Sequence, residues 1–180
     1  YLSGDAKAEL VTGAGEVYAV RHDGTELLDG DNNAQTYGVF DGAGFGPFWT
    51  PPAVADLDND GVQDIVAAGF QTALLYVWSS HGGAKPGWPR QVNPGGLASP
   101  AVWSAPTLAD LDGDGDLEIL INAAAYTFVF HHDGTEFLDG DHNPATLGVF
   151  LVMGTTANYS TPAVGDVDND GMPEIVVGSR

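Results

Sequence analysis

Apolar residues in this chain come in short runs, separated by Gly-, Pro- and Asp-rich punctuation. Three of the runs are Ile65-Val-Ala-Ala68, Ile119-Leu-Ile121 and Ile175-Val-Val177, and Leu10-Val11 is a shorter fourth. They are too short for helices and rich in β-branched residues, so they predict strands. Neither face of these runs is polar, which predicts strands covered on both sides, as in a sheet stacked between neighbouring sheets. A second strand is predicted at Val17–Arg21, Leu74–Trp78 and Thr127–His131. Each is followed by a tight-turn dipeptide: Asp23-Gly24, Gly82-Gly83 or Asp133-Gly134. No amphipathic stretch of helical period interrupts the series. The fold class expected is all-β, built from four-stranded antiparallel sheets.

The runs are spaced by a repeat. Asp56-Leu-Asp-Asn-Asp-Gly-Val-Gln-Asp64, Asp110-Leu-Asp-Gly-Asp-Gly-Asp-Leu-Glu118 and Asp166-Val-Asp-Asn-Asp-Gly-Met-Pro-Glu174 align directly, with starts 54 and 56 residues apart. A degraded copy, Tyr1 to Glu9, keeps Asp5 and Glu9 but carries Tyr1, Ser3 and Ala6 where the others have Asp, Asp and Gly. An aromatic stands seven residues before each full copy (Trp49, Trp103, Tyr159) and a proline four before (Pro52, Pro106, Pro162). The periods are 1–55, 56–109 and 110–165, with a partial one at 166–180, and no linker divides the chain. A unit of this length is the size of one β-propeller blade. Three periods do not readily close a ring, so the chain is expected to be part of a larger propeller, with further blades from the same or other chains. A second likeness overlies the first: His22–Phe40 and His132–Phe150 share 14 of 19 residues, whereas the middle unit carries Lys85-Pro-Gly-Trp-Pro-Arg90 instead.

Charge gives the repeat a chemistry. With 25 acidic against 5 basic residues, the chain has a formal charge of −20. Such a field repels nucleic acid and anionic membrane surfaces and attracts cations. No apolar run is long enough to span a bilayer. There is no cysteine, hence no disulfide and no thiolate metal site. The acids cluster as D-x-D-x-D-G-x-x-[DE], which suits Ca²⁺, a hard cation that takes six to eight oxygens in flexible geometry. Alternating Asp wraps side chains round one centre, Gly permits the sharp turn, and the final acid closes the shell. The candidate ligands are Asp56, Asp58, Asp60 and Asp64; Asp110, Asp112, Asp114 and Glu118; and Asp166, Asp168, Asp170 and Glu174. The backbone carbonyls of Val62, Asp116 and Met172 are further candidates, and about three ions are expected. Mg²⁺ fits less well because it prefers rigid octahedral sites; Zn²⁺ fits worse, since there is no cysteine and no histidine adjoins the loops. An EF-hand opens similarly, but its closing Glu lies three positions later and its flanks are helices.

These loops, with a preceding S/T-x-P-x-[VL] segment and a following apolar strand, resemble the FG-GAP or VCBS repeats. Those repeats form the β-propeller of integrin α-subunits and of many bacterial and archaeal secreted proteins. The resemblance implies Ca²⁺ held in a hairpin between two strands of a blade, by the acids named above.

Other constellations are weaker. Asp29-Gly-Asp-Asn-Asn33 and Asp139-Gly-Asp-His-Asn143 repeat a D-x-D-x-N spacing without the Gly and closing acid, and read as Asx-rich turns or a second, weaker cation site. The five histidines carry no catalytic context, and no nucleophile elbow is present. Trp49, Trp78, Trp88 and Trp103 read as packing between blades, with sugar stacking the alternative. The expectation is a non-enzymatic module, extracellular or at the cell surface, that binds a protein or glycan ligand or serves in surface assembly. The alternative is the propeller portion of a secreted polysaccharide lyase or hydrolase.

Overall fold

The computed structural model describes residues 2–33, 35–41, 46–94, 101–154 and 158–178; Tyr1 of the degraded copy and Arg180 lie outside them. Among the described residues, thirteen strands form four sheets, and each sheet is a meander of consecutive antiparallel strands. The first sheet holds β1 (Leu10–Gly13), β2 (Val17–Val20) and β3 (Val39–Asp41). The second holds β4 (Ala53–Ala55), β5 (Asp64–Ala68), β6 (Leu74–Ser79) and β7 (Arg90–Gln91). The third holds β8 (Thr107–Ala109), β9 (Glu118–Ala123), β10 (Tyr126–Phe130) and β11 (Val149–Val152), and the fourth β12 (Ala163–Gly165) and β13 (Glu174–Val176). The described residues contain no helix, and so none long and apolar enough to cross a membrane. The class is all-β, and the two complete central sheets have four strands each.

Each full Asp-rich loop joins the first strand of its sheet to the second: β4 to β5, β8 to β9, β12 to β13. A repeat counted from the loop therefore draws its first strand from the end of the preceding period. The first strands β4, β8 and β12 are neighbours across sheets. Thr107 Oγ1 donates to the Pro162 carbonyl at 2.7 Å, linking the third sheet to the chain entering the fourth.

The sheets stack face to face, which is why their strands are apolar on both sides. Every residue of β5 and β9 is buried. In β5, Ile65 and Ala67 pack with Val17, Ala19 and Phe40 of the first sheet, while Val66 and Ala68 pack with Ile119, Ile121 and Phe128 of the third. In β9, Leu120 turns the other way, toward Val164 and Ile175 of the fourth sheet. Alternate residues thus serve two different interfaces, as the period of two along a strand requires.

The tryptophans divide. Trp78 and Trp88 are buried and pack between sheets as expected. Trp49 and Trp103 also meet across sheets, at 6.3 Å between centroids, with Phe70 and Tyr159 against them, but each keeps about half its surface in solvent (55% and 46%). Packing between sheets is therefore partial there: these rings precede the first strand of a sheet, and each keeps an exposed face.

The duplicated segments also have a structural reason. In the first and third sheets Asp23 and Asp133 cap their turns by accepting from Thr25 and Thr135. Glu26 and Glu136 then accept the Gly38 and Gly148 amides, fixing the long return to the last strand. The second sheet takes a shorter path, in which Trp88 Nε1 donates to the His132 carbonyl of the third sheet at 2.8 Å. Beside it, a Cβ on Gly87 would lie 2.0 Å from the Asp133 carbonyl oxygen, so only glycine allows this approach.

This seam gives a test. Trp88→Phe removes one half-buried hydrogen bond and is expected to cost about 1 kcal/mol. Trp88→Ala also leaves a cavity and is expected to cost about 3–5 kcal/mol. Urea denaturation measures both; a Phe variant as stable as the parent would show that the indole bond contributes nothing.

Candidate metal centre

The loops are built by a recurrent set of backbone-to-carboxylate bonds. At the second loop position, the amides of Leu57, Leu111 and Val167 donate to the closing acids Asp64, Glu118 and Glu174 at 3.3, 2.7 and 2.8 Å. The degraded copy keeps this clamp, Leu2 to Glu9 at 2.9 Å. The amides of Gly61, Gly115 and Gly171 donate to the first aspartate, Asp56, Asp110 or Asp166. The amides of Val62, Asp116 and Met172 donate to the fifth-position aspartates Asp60, Asp114 and Asp170.

Two backbone positions in each loop have positive φ. The sixth, Gly61, Gly115 and Gly171, lies at +87°, +97° and +92°. The fourth is also left-handed: Asn59 at +53°, Gly113 at +79° and Asn169 at +62°. Only Gly and, less freely, Asn accept this region without strain. The recurring Asn or Gly at position four was a signal in the sequence that the metal pattern alone does not use. Ala6 of the degraded copy is held at +60°, so that loop keeps the backbone while lacking two of the four acids.

The side chains converge. Ligand atoms of Asp56, Asp58 and Asp60 lie within 4.8 Å of one another; so do those of Asp110, Asp112 and Asp114, and those of Asp166, Asp168 and Glu174. Asp170 stands outside its group, with Oδ1 accepting the Met172 amide. Asp64 stands outside the first group and pairs with Lys85 Nζ at 3.0 Å. Glu118 groups instead with Asp112 and His131, whose Nδ1 is 3.1 Å from Glu118 Oε1. His132 lies 3.3 Å from Asp116, and His22 lies 3.9 Å from Asp5. The expectation that no histidine adjoins the loops is therefore corrected: the strand after each hairpin returns past the loop, and sequence separation hides this.

Burial gives the closing acids their electrostatic character. Asp64 and Glu118 are fully buried. Burial pushes the Asp64 carboxyl above its ordinary range, helped by the Asp58 charge and opposed by Lys85 and the Leu57 amide. Burial likewise raises Glu118, opposed by the Leu111 amide and His131 and aided by Asp112. For Asp58 burial acts in the same sense, but the hydrogen bond and charge of Lys85 outweigh it and hold the group low. Asp64 Oδ1 and Asp58 Oδ1 are buried without a hydrogen-bond partner. Orphaned carboxylate oxygens inside a shell of further carboxylates fit a hard, oxygen-seeking cation.

The Asp29 and Asp139 loops differ. Asn33 N donates to Asp29 and Asp31, and Asn143 N to Asp139 and Asp141, while Thr36 and Thr146 satisfy the second Asp of each pair. These are hydrogen-bonded Asx turns, and no group of three acids forms there among the described residues.

Comparison with known families agrees with this geometry. The FG-GAP-like repeat family matches residues 56–121, which run from the first complete loop through the second and into β9. The chain carries an FG-GAP-like repeat. Among solved structures, that of the V. cholerae biofilm matrix protein Bap1 is similar in fold, with a TM-score of 0.59 and 23% identity. The match covers 98% of this chain and 26% of Bap1, so the chain spans about a quarter of that protein's length. Comparison with curated proteins finds no match.

The two raised closing acids, Asp64 and Glu118, make a pH prediction for the metal-free protein. Their folded-state pKa values exceed the unfolded ones, so the folded state takes up protons first as pH falls, and stability rises down to the ordinary carboxylate range. The acids held low, Asp58 and Asp133 among them, act in the opposite sense but only below that range. In chelator, the melting temperature is expected to rise as the pH falls from neutral toward the ordinary carboxylate range. Substituting Gln for Glu118 should flatten that rise, and a melt that falls monotonically on acidification would contradict it.

Proposed function

We propose that this chain is a Ca²⁺-binding segment of a β-propeller, acting outside the cell as a binding, adhesion or surface-assembly module. The observation that carries the reading is the threefold loop between first and second strands, closed by an acid at the start of the next strand and fully buried in two copies. The FG-GAP-like repeat and a similar fold in a protein described as a biofilm matrix protein support the surface setting. The stacked sheets with neighbouring first strands are the arrangement expected of blades in a larger ring. The ligand class is a protein or glycan, and the strongly negative field disfavours nucleic acid.

Bound Ca²⁺ supplies charge that the clustered carboxylates otherwise lack, and it ties the hairpin to the buried strand. Binding to the folded state alone contributes about 2.7 kcal/mol per site at a hundredfold excess over Kd. Chelation is therefore expected to lower the melting temperature at neutral pH, and Asp112→Ala to reproduce part of that loss. Unlike the chelated form, the Ca²⁺-loaded protein should lose stability in mild acid, because ligating carboxylates must be deprotonated. A glycan array probed with and without chelator tests the module itself. Binding that disappears in chelator and returns with Ca²⁺ is the expected result, and a melt indifferent to chelator would refute the calcium reading.

A further inference from the structure

The three complete loops are not equivalent, and the difference is one residue outside the acidic motif. After β6, Trp78 bridges Ala84, and the next residue is Lys85. In the first and third sheets the corresponding bridges are Val20 to Glu26 and Phe130 to Glu136, followed by Leu27 and Phe137. The position is apolar in two sheets and cationic in the second. Lys85 is anchored by its own amide, which donates to the Val77 carbonyl at 2.9 Å. Its side chain is only 13% exposed, and Nζ lies 2.7 Å from Asp58 Oδ2 and 3.0 Å from Asp64 Oδ2. This is not a surface ion pair between flexible chains, because Asp64 is fully buried.

A second observation points the same way. The closing acid belongs to a convergent group of ligand atoms in the other two loops, Glu118 with Asp112 and His131, and Glu174 with Asp166 and Asp168. In the first complete loop the group is Asp56, Asp58 and Asp60 alone, and the closing acid faces the ammonium. The neighbour at Glu118 is chemically different. A neutral imidazole offers a lone pair to a metal, whereas an ammonium has three donors and none. No described cation pairs with Asp166, Asp168 or Glu174.

We propose that Lys85 is a tethered counter-ion that occupies the third- and ninth-position carboxylates of the loop Asp56–Asp64 and competes with the divalent cation there. A divalent ion taken up by the Oδ1 atoms of Asp58 and Asp64 would stand close to the ammonium held on their Oδ2 atoms, and that repulsion is poorly screened beside a buried carboxylate. Cation binding at this loop is therefore weakened as long as the ammonium stays. The loops at Asp110 and Asp166 fill first, and the loop at Asp56 fills only at higher Ca²⁺, so one module carries sites of graded affinity. The inference rests on the calcium reading above.

A site-resolved titration of the full chain with Ca²⁺ tests it. The amides of Gly61, Gly115 and Gly171 report one loop each by two-dimensional NMR. In the parent protein, the Gly61 midpoint is expected at a Ca²⁺ concentration about tenfold or more above that of Gly115. Lys85→Met keeps the apolar stem and removes the charge. It should lower the Gly61 midpoint by about tenfold or more, leave Gly115 and Gly171 unmoved, and lower the melting temperature in chelator. Lys85→Gln provides the same comparison with a polar end and guards against a folding defect in the Met variant. If Gly115 and Gly171 titrate but the Gly61 midpoint is unchanged or raised in both variants, the tethered counter-ion is overturned and the calcium reading stands. If none of the three glycines responds in any of the proteins, both fall.

Discussion

The structure depends on a carboxylate placed where a carboxylate is costly. Asp64 and Glu118 begin the second strand of their sheets, and that strand is buried along its whole length. Each accepts the amide of the second loop residue, so the acid both ends the loop and anchors the strand. An isolated charge in such a place is tolerated only with partners. The sheet provides one partner from the returning hairpin, Lys85 in one case and His131 in the other. It leaves further oxygen positions open to a cation, including the orphaned Asp64 Oδ1.

The same strands that carry these acids also explain why the sheets stack. The central strands must be covered on both faces, because Val66 and Ile65 point to opposite neighbours and both are fully buried. A sheet of this kind is unstable alone, and each one supplies half of the interface that its neighbour needs. The Trp88 indole and the close approach at Gly87 add a polar, directional contact to an otherwise apolar seam. Each loop joins the first and second strands of its own sheet, and the exposed aromatics Trp49, Trp103 and Tyr159 precede those first strands.

Repetition does not make the units identical. The loop backbone persists in all four copies, down to the positive φ at Ala6, whereas the chemistry inside it changes. Ser3 bonds Glu9 in the degraded copy, an ammonium meets the closing acid in the next, and an imidazole meets it in the third. The fold thus separates what shapes a hairpin, left-handed positions and the amide clamp, from what decides its affinity for a cation. The former resides within nine consecutive residues; the latter comes from the strand that returns beside them.

That separation also divides what was legible in the sequence from what was not. The strands, the tight turns, the four-copy loop and its acids follow from local constraints: period-two burial, the φ tolerance of Gly and Asn, and spacing within one hairpin. The sequence by itself therefore determined the all-β class, the repeat and the ligand candidates. Only the tertiary structure decided which basic groups face the loops. Lys85 lies 21 residues from Asp64 and His131 lies 13 from Glu118, distances at which no periodicity carries information. It also decided that Trp78 and Trp88 are core while Trp49 and Trp103 are not, because burial depends on whether the neighbouring sheet extends far enough to cover a ring. Residue type sets the preference of a side chain, but contacts between sheets set its surroundings, and those arise only when the stack is assembled.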